Sequence, residues 1–190
     1  MNKDISPSPS PYEAKIKILL DADVLIHFHK ADKIFDLPNI FKEYEYILLD
    51  IVWGEVNRTS ISYAIQLLIN NGSITLLEFP TDNDLIDYEY ESLKYDGRGV
   101  GESACMAYAK YNKNGIIASS NLSDLLPYCH ENQIPYITTM DFLCKAKEIN
   151  YYSEKECDNF IQQVLENRSK LPVKRMSDYD CLNKKIIKKY

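Results

Sequence analysis

Three acids stand in apolar surroundings, where an ionised carboxylate is costly unless it is paired. Asp21 follows directly on the run Ile16-Lys17-Ile18-Leu19-Leu20, in Leu20-Asp21-Ala22-Asp23-Val24-Leu25. Glu55 sits in Val52-Trp53-Gly54-Glu55-Val56, and Glu102 in Gly99-Val100-Gly101-Glu102-Ser103-Ala104. A carboxylate on a face that ought to be buried needs a cation or a metal to balance it. Three of them along one small domain point to a divalent-metal site, and a carboxylate at the carboxyl end of a strand stands where open α/β sheets build their ligand sites.

Each acid also has a structural use. An acid after a strand caps the next helix, and of the pair Asp21 and Asp23 the second is the better placed to do so, leaving Asp21 for a metal. The residues three and four before Glu55 are Val52 and Ile51, so its helix face is expected to turn inward. Glu102 opens a helix, where the dipole welcomes negative charge, and the glycines before it let the backbone approach a ligand. A fourth group is expected after a later strand, in Ser119-Ser120-Asn121-Leu122-Ser123-Asp124. Asn121 offers an oxygen without charge. Asp124 is charged, but Pro127 suggests a helix starting near Leu125 with Asp124 as its N-cap. Arg98, in Asp96-Gly97-Arg98-Gly99, is placed to hold a phosphate.

The elements that must carry these residues alternate. Short apolar strands are expected over Ile16–Leu20, Tyr46–Leu49, Ile74–Leu77, Ile116–Ala118 and Tyr136–Thr138. Between them come helical stretches: Val24–Lys33, a short one opened by Pro38, one carrying Trp53, Glu55 and Val56, then Ile61–Ile69. Leu85–Leu93 follows, capped by Thr81 or Asp82, then Glu102–Tyr111 with a small-residue face of Ala104, Ala107 and Ala109, and Met140–Ile149. Ser153 and Glu156 form a capping box for a helix ending near Asn167. This alternation predicts an α/β fold, a three-layer, doubly wound domain around a central parallel sheet of about five strands. Residues 1–13, rich in Ser-Pro, read as a disordered arm, and residues 151–190 as a C-terminal helix and basic tail.

With 190 residues the chain makes one domain with tails. A net charge of −6 argues against a strongly basic nucleic-acid binder, yet leaves room for a nuclease whose metal sets the local field. The five cysteines show no C-x-x-C spacing and fit a reducing, cytoplasmic setting in which most act as small buried apolar residues. No run reads as a signal peptide or membrane span. The 15 tyrosines are scattered and read as packing residues.

Taken in order, Leu19-Leu20-Asp21-Ala22-Asp23-Val24-Leu25, Glu55, Gly99-Val100-Gly101-Glu102-Ser103-Ala104 and Ala118-Ser119-Ser120-Asn121 resemble the PIN-domain nucleases, with Tyr136-Ile137-Thr138-Thr139-Met140-Asp141-Phe142-Leu143 matching the end of that domain. The resemblance covers roughly residues 15–148 and makes 14–150 a PIN-like domain. It implies a parallel sheet whose acids hold Mg²⁺ or Mn²⁺ and hydrolyse a phosphodiester, most often in RNA, and for many members a toxin's role beside an antitoxin. By that resemblance Asp21, Glu55 and Glu102 match the first three acids, with Asp21, Glu102 and Asn121 expected to hold the metal and Arg98 and Asn121 to meet the substrate. Asn121 falls where many members carry aspartate, and Asp124 stands near enough to substitute. A homodimer is an expected state.

Two rival readings remain at this stage. A degenerate PIN-like domain that binds RNA or a protein without cutting is favoured by Asn121. A haloacid-dehalogenase-like phosphatase shares the strand followed by D-x-D, but Val24 and Leu25 stand where that family has glycine and threonine. His27 and His29, two apart on a helix, face different sides and do not suggest zinc.

Overall fold

In a computed structural model, residues 15–181 are described. Five strands form one all-parallel sheet in the order β3-β2-β1-β4-β5: β1 (Lys17–Leu20), β2 (Glu45–Leu49), β3 (Thr75–Leu77), β4 (Gly115–Ala118) and β5 (Tyr136–Ile137). The central strands β1 and β4 are continuous apolar runs because both their faces are covered, whereas β3, at the edge, leaves Leu76 exposed.

The helices between the strands are α1 (Ala22–Lys30), α2 (Asp50–Val56), α3 (Ser62–Asn70), α4 (Asp84–Tyr95), α5 (Val100–Tyr111), α6 (Leu122–Asn132), α7 (Thr139–Glu148) and α8 (Glu154–Glu166). Right-handed crossovers reverse direction after β3, so α4, α5 and α6 pack together on one face and α1, α7 and α8 on the other. The second face holds an aromatic core: Phe28 meets Phe142 and Phe160 at ring-centroid distances of 5.6 and 4.9 Å, and Phe41 meets Phe142 at 5.3 Å. On the first face Ala104 and Ala107, both fully buried, let α5 lie close to the sheet. This is the three-layer α/β architecture expected from the alternating pattern.

Several local expectations are corrected. Pro38 does not open a helix but lies inside a 3₁₀ segment, Ile34–Asn39. Asn83, not Thr81 or Asp82, caps α4, its side chain accepting from the backbone of Leu85 and Ile86. Helix α6 begins at Leu122 and runs through Pro127, so Asp124 lies in its first turn, exposed, rather than at its cap. The Ser153–Glu156 box is formed as expected, and a second box pairs Thr138 with Asp141. Cys105, Cys129 and Cys157 are buried thiols, but Cys144 and Cys181 are joined in a disulfide that ties the chain after a last 3₁₀ turn (Met176–Asp178) to α7. A reducing compartment opposes such a bond. No helix among the described residues is long and apolar enough to cross a membrane. The expected disordered arm and most of the basic tail, residues 1–14 and 182–190, lie outside the described residues.

Candidate metal centre

Strand order turns at β1 and β4, and between their carboxyl ends lies the crevice that a doubly wound sheet offers to ligands. Asp21 leaves β1 there. Its N–H still donates to the Ala118 carbonyl at 3.0 Å, so Asp21 and Ser119 emerge side by side, and the Ser119 side chain hydrogen-bonds the Asp21 carboxylate. Asp21 is only 7 % exposed, and burial raises its pKa above the ordinary carboxylate range.

The helix cap is made by Asp21 and not, as expected, by Asp23. Asp21 itself occupies the N-cap position of α1, its Oδ1 accepting from the Ala22 N–H at 2.8 Å. Asp23 reaches across instead and accepts the Ser120 N–H on Oδ2 at 2.7 Å, fixing the turn after β4. Its other oxygen is buried without a hydrogen-bond partner, and burial beside Asp21 pushes its pKa up to about 7.

Glu102 arrives from the opposite face of the sheet, as the third residue of α5. It is 7 % exposed; Oε2 accepts from Asn121 Nδ2 at 3.4 Å, and Oε1 is buried with no partner. Desolvation, then the charges of Asp21 and Asp124, raise its pKa to about 7, while Arg98 and Asn121 pull the other way. The Ser103 hydroxyl beside it is also buried and unpartnered.

Glu55 does not face the core as its apolar neighbours suggested: the residue is exposed, and its carboxylate turns toward α5. There Oε1 accepts the Gly101 N–H at 2.8 Å. Gly99, at the N-cap position of α5, has no side chain to satisfy the helix's free N–H groups, and Glu55 supplies the missing acceptor. The approach requires glycine at 101, where a Cβ would fall 2.7 Å from Glu55 Oε2. Glu55 thus secures the turn that carries Glu102, and its charge still raises the pKa of Asp21.

Asn121 is tied on both ends of its amide: Nδ2 donates to Glu102, and Oδ1 accepts the Ser123 hydroxyl at 2.7 Å. As placed, it orients Glu102 rather than offering a free oxygen. Asp124 is near enough to raise the Glu102 pKa from an exposed position. Arg98, half-buried, lies 3.8 Å from Asp96 and over the Tyr128 ring at 5.7 Å, at the mouth of the site.

Sequence reasoning missed the polar chain beneath the site. Ser120 Oγ donates to Thr139 Oγ1 at 3.0 Å and accepts the Thr139 N–H at 3.1 Å, and Thr139 Oγ1 lies 2.8 Å from His27 Nδ1. Burial lowers the His27 pKa to about 4, so it is neutral and structural. The signal was the unassigned pair Ser119-Ser120, polar residues at the end of a buried strand. The Cys105 thiol also lies within the field of all four acids, which reinforces the effect of its complete burial in raising its pKa.

These acids suit a cation in two respects: Asp21 and Glu102 are buried and Asp23 half-buried with like charges as neighbours, and two of their oxygens lack any donor. In a third respect the site is sparse. Among the described residues no group of three or more His, Cys, Asp or Glu side chains is arranged to hold a metal ion. Mg²⁺ is commonly bound by only one or two carboxylates, keeping waters and taking further oxygens from a substrate phosphate. Asp21 and Glu102 fit that sparse pattern. No protein-family model matches the chain, and no curated protein matches its sequence.

Proposed function

We propose that the domain is a metal-dependent nuclease, with Asp21 and Glu102 holding Mg²⁺ or Mn²⁺ at the carboxyl edge of the sheet. The observation that supports this reading is the juxtaposition of two buried carboxylates, Asp21 and Glu102, with the half-buried Asp23, two of their oxygens lacking a partner, against which the protein sets one nearby guanidinium, Arg98. Such a cluster is unfavourable by itself and favourable around a divalent cation. The cation, when bound, supplies a Lewis acid at the phosphate and a water of lowered pKa. The chain's residues do the rest: Asn121 and Glu55 orient Glu102 and its helix, Asp23 holds the Ser120 turn, and Arg98 meets a phosphate at the mouth. The resemblance to PIN-domain nucleases carries the choice of RNA as substrate, and with it an antitoxin as a partner and a toxin's role. Purified protein is expected to cleave single-stranded RNA slowly, more with Mn²⁺ than with Mg²⁺, and Glu102→Gln should reduce the rate by about two orders of magnitude or more.

A second reading is a PIN-like domain that binds without cutting. It is favoured by Asn121, which brings no charge and keeps its oxygen on Ser123. Asn121→Asp separates the two: a nuclease short of one acid gains activity, and a binding module stays silent. Absence of any cleavage that Glu102→Gln removes, with either metal and on RNA and DNA, favours the second.

A further inference from the structure

The opposite edge of the sheet has the opposite electrostatic character. Lys17, Glu45 and Gly115 are the first residues of β1, β2 and β4 and stand side by side in register. With Lys15, Lys113, Tyr111, Asn112 and Asn114 they line a shallow cleft of about 480 Å³. Three lysines face one carboxylate there, in a chain whose net charge is −6. Among the described residues none of Lys15, Lys17 and Lys113 forms an ion pair, which is also true of Lys30, Lys42, Lys155, Lys170 and Lys174; what distinguishes the three is that they share one cleft. The carbonyl end of α5 welcomes a cation and accounts for Lys113. It does not account for Lys15 and Lys17, which come from the strand side.

We infer that this cleft is a binding site for the phosphate backbone of single-stranded nucleic acid, separate from the acids. Lysines that gather in excess of their counter-charge are the usual footprint of a polyanion. An acidic peptide would satisfy them too, but the cleft also holds Tyr111, a residue 40 % exposed with Lys110 Nζ 5.8 Å from its ring centroid. An exposed aromatic ring among phosphate-binding lysines is the stacking platform that single strands use and a peptide carboxylate does not need. Helix α5 runs from Glu102 at one edge to Tyr111 at the other, roughly 14 Å by helical rise. The cleft therefore engages a part of the strand remote from the acids.

Fluorescence anisotropy of a labelled oligouridylate, in the presence of a chelator, reads this site without any cleavage, so its outcome is independent of the nuclease reading. The combined variant Lys15→Gln, Lys17→Gln, Lys113→Gln should weaken binding about tenfold or more at low salt, and reduce the slope of log K against log salt by about 2. Tyr111→Ala should weaken it about tenfold at any salt. Lys113→Glu, in an exposed loop, leaves β1 untouched and should weaken binding severalfold, which guards against a folding artefact. Asp21→Asn should bind at least as tightly as the parent. The inference fails if the full chain does not bind the probe, if the lysine variants bind it unchanged, or if polyglutamate displaces it more effectively than unlabelled RNA does.

Discussion

Glu89 and Glu102 are two glutamates on adjacent helices, one near each end of α5, and they are treated oppositely. Glu89, half-buried on α4, has both oxygens engaged: Lys110 lies 2.6 Å from Oε2, and the Tyr128 hydroxyl donates to Oε1 at 2.8 Å. Glu102 is more buried, yet one oxygen has only a long contact from Asn121 and the other has nothing. Both ends of the helix bring an acid near the core. Only one end neutralises it. A carboxylate whose partners are all supplied by the fold is explained by the fold, whereas one left short of donors beside other acids is what the proposed cation would balance.

The contrast is sharpest in stability. Glu89→Gln removes the charge that holds Lys110 and weakens the Tyr128 contact, leaving part-buried groups short of partners. It should lower the melting temperature by roughly 4–8 °C, the consequence of losing about 2 kcal/mol in a chain of this size. Glu102→Gln relieves repulsion among Asp21, Asp23 and Glu102 and should leave the metal-free protein as stable as before or more so. Equal destabilisation by the two substitutions in thermal melts would erase the distinction.

What was legible in the sequence follows from how local its cause is. The strands β1 and β4 were readable because a parallel strand covered on both faces becomes a continuous apolar run. The Ser153–Glu156 cap was readable because both partners lie within one turn. The three acids stand out in the sequence because they interrupt an apolar pattern. What failed was decided by contacts distant in sequence. Pro127 argued for a helix beginning near Leu125, but Asp23, 97 residues earlier, holds the Ser120 N–H, and α6 begins at Leu122. Glu55 was read as inward-facing from its own helix, but α2 has only seven residues, and its partner is Gly101, 46 residues on. The His27–Thr139 link spans 112 residues and has no local signature at all. Periodicity gives the faces of elements, and the roles within the site belong to pairs that only the packed sheet brings together.

The two ends of α5 should also answer differently to divalent ions. Mn²⁺ or Mg²⁺ at about ten times its dissociation constant should raise the melting temperature by roughly 3–5 °C, because a ligand held only by the folded state stabilises it. Asp21→Asn should remove this shift, and Glu89→Gln should preserve it on a lower baseline. A shift that survives Asp21→Asn in differential scanning fluorimetry places the ion elsewhere.

The smallest expected effect is a pH dependence confined to one end of the helix. Asp23 and Glu102 keep their protons up to about pH 7, against roughly 4 in an unfolded chain. The folded state then holds more protons than the unfolded one between about pH 4 and 7, so these two groups make stability fall as pH rises through that window. His27 acts in the other direction, since its pKa falls to about 4 from an ordinary 6.5 and its contribution is lost as pH drops between those values. At pH 6.5 the unfolded imidazole is still about half protonated, so above it His27 offsets only a minor part of the carboxyl effect. In a chelator, the melting temperature should therefore fall by roughly 3 °C between pH 6.5 and 8. Glu102→Gln should remove about half of that slope and Glu89→Gln none of it. A melting temperature that stays flat across this interval would mean that the acids at the carboxyl edge ionise without penalty, and the difference between the two ends of α5 would then be one of geometry alone.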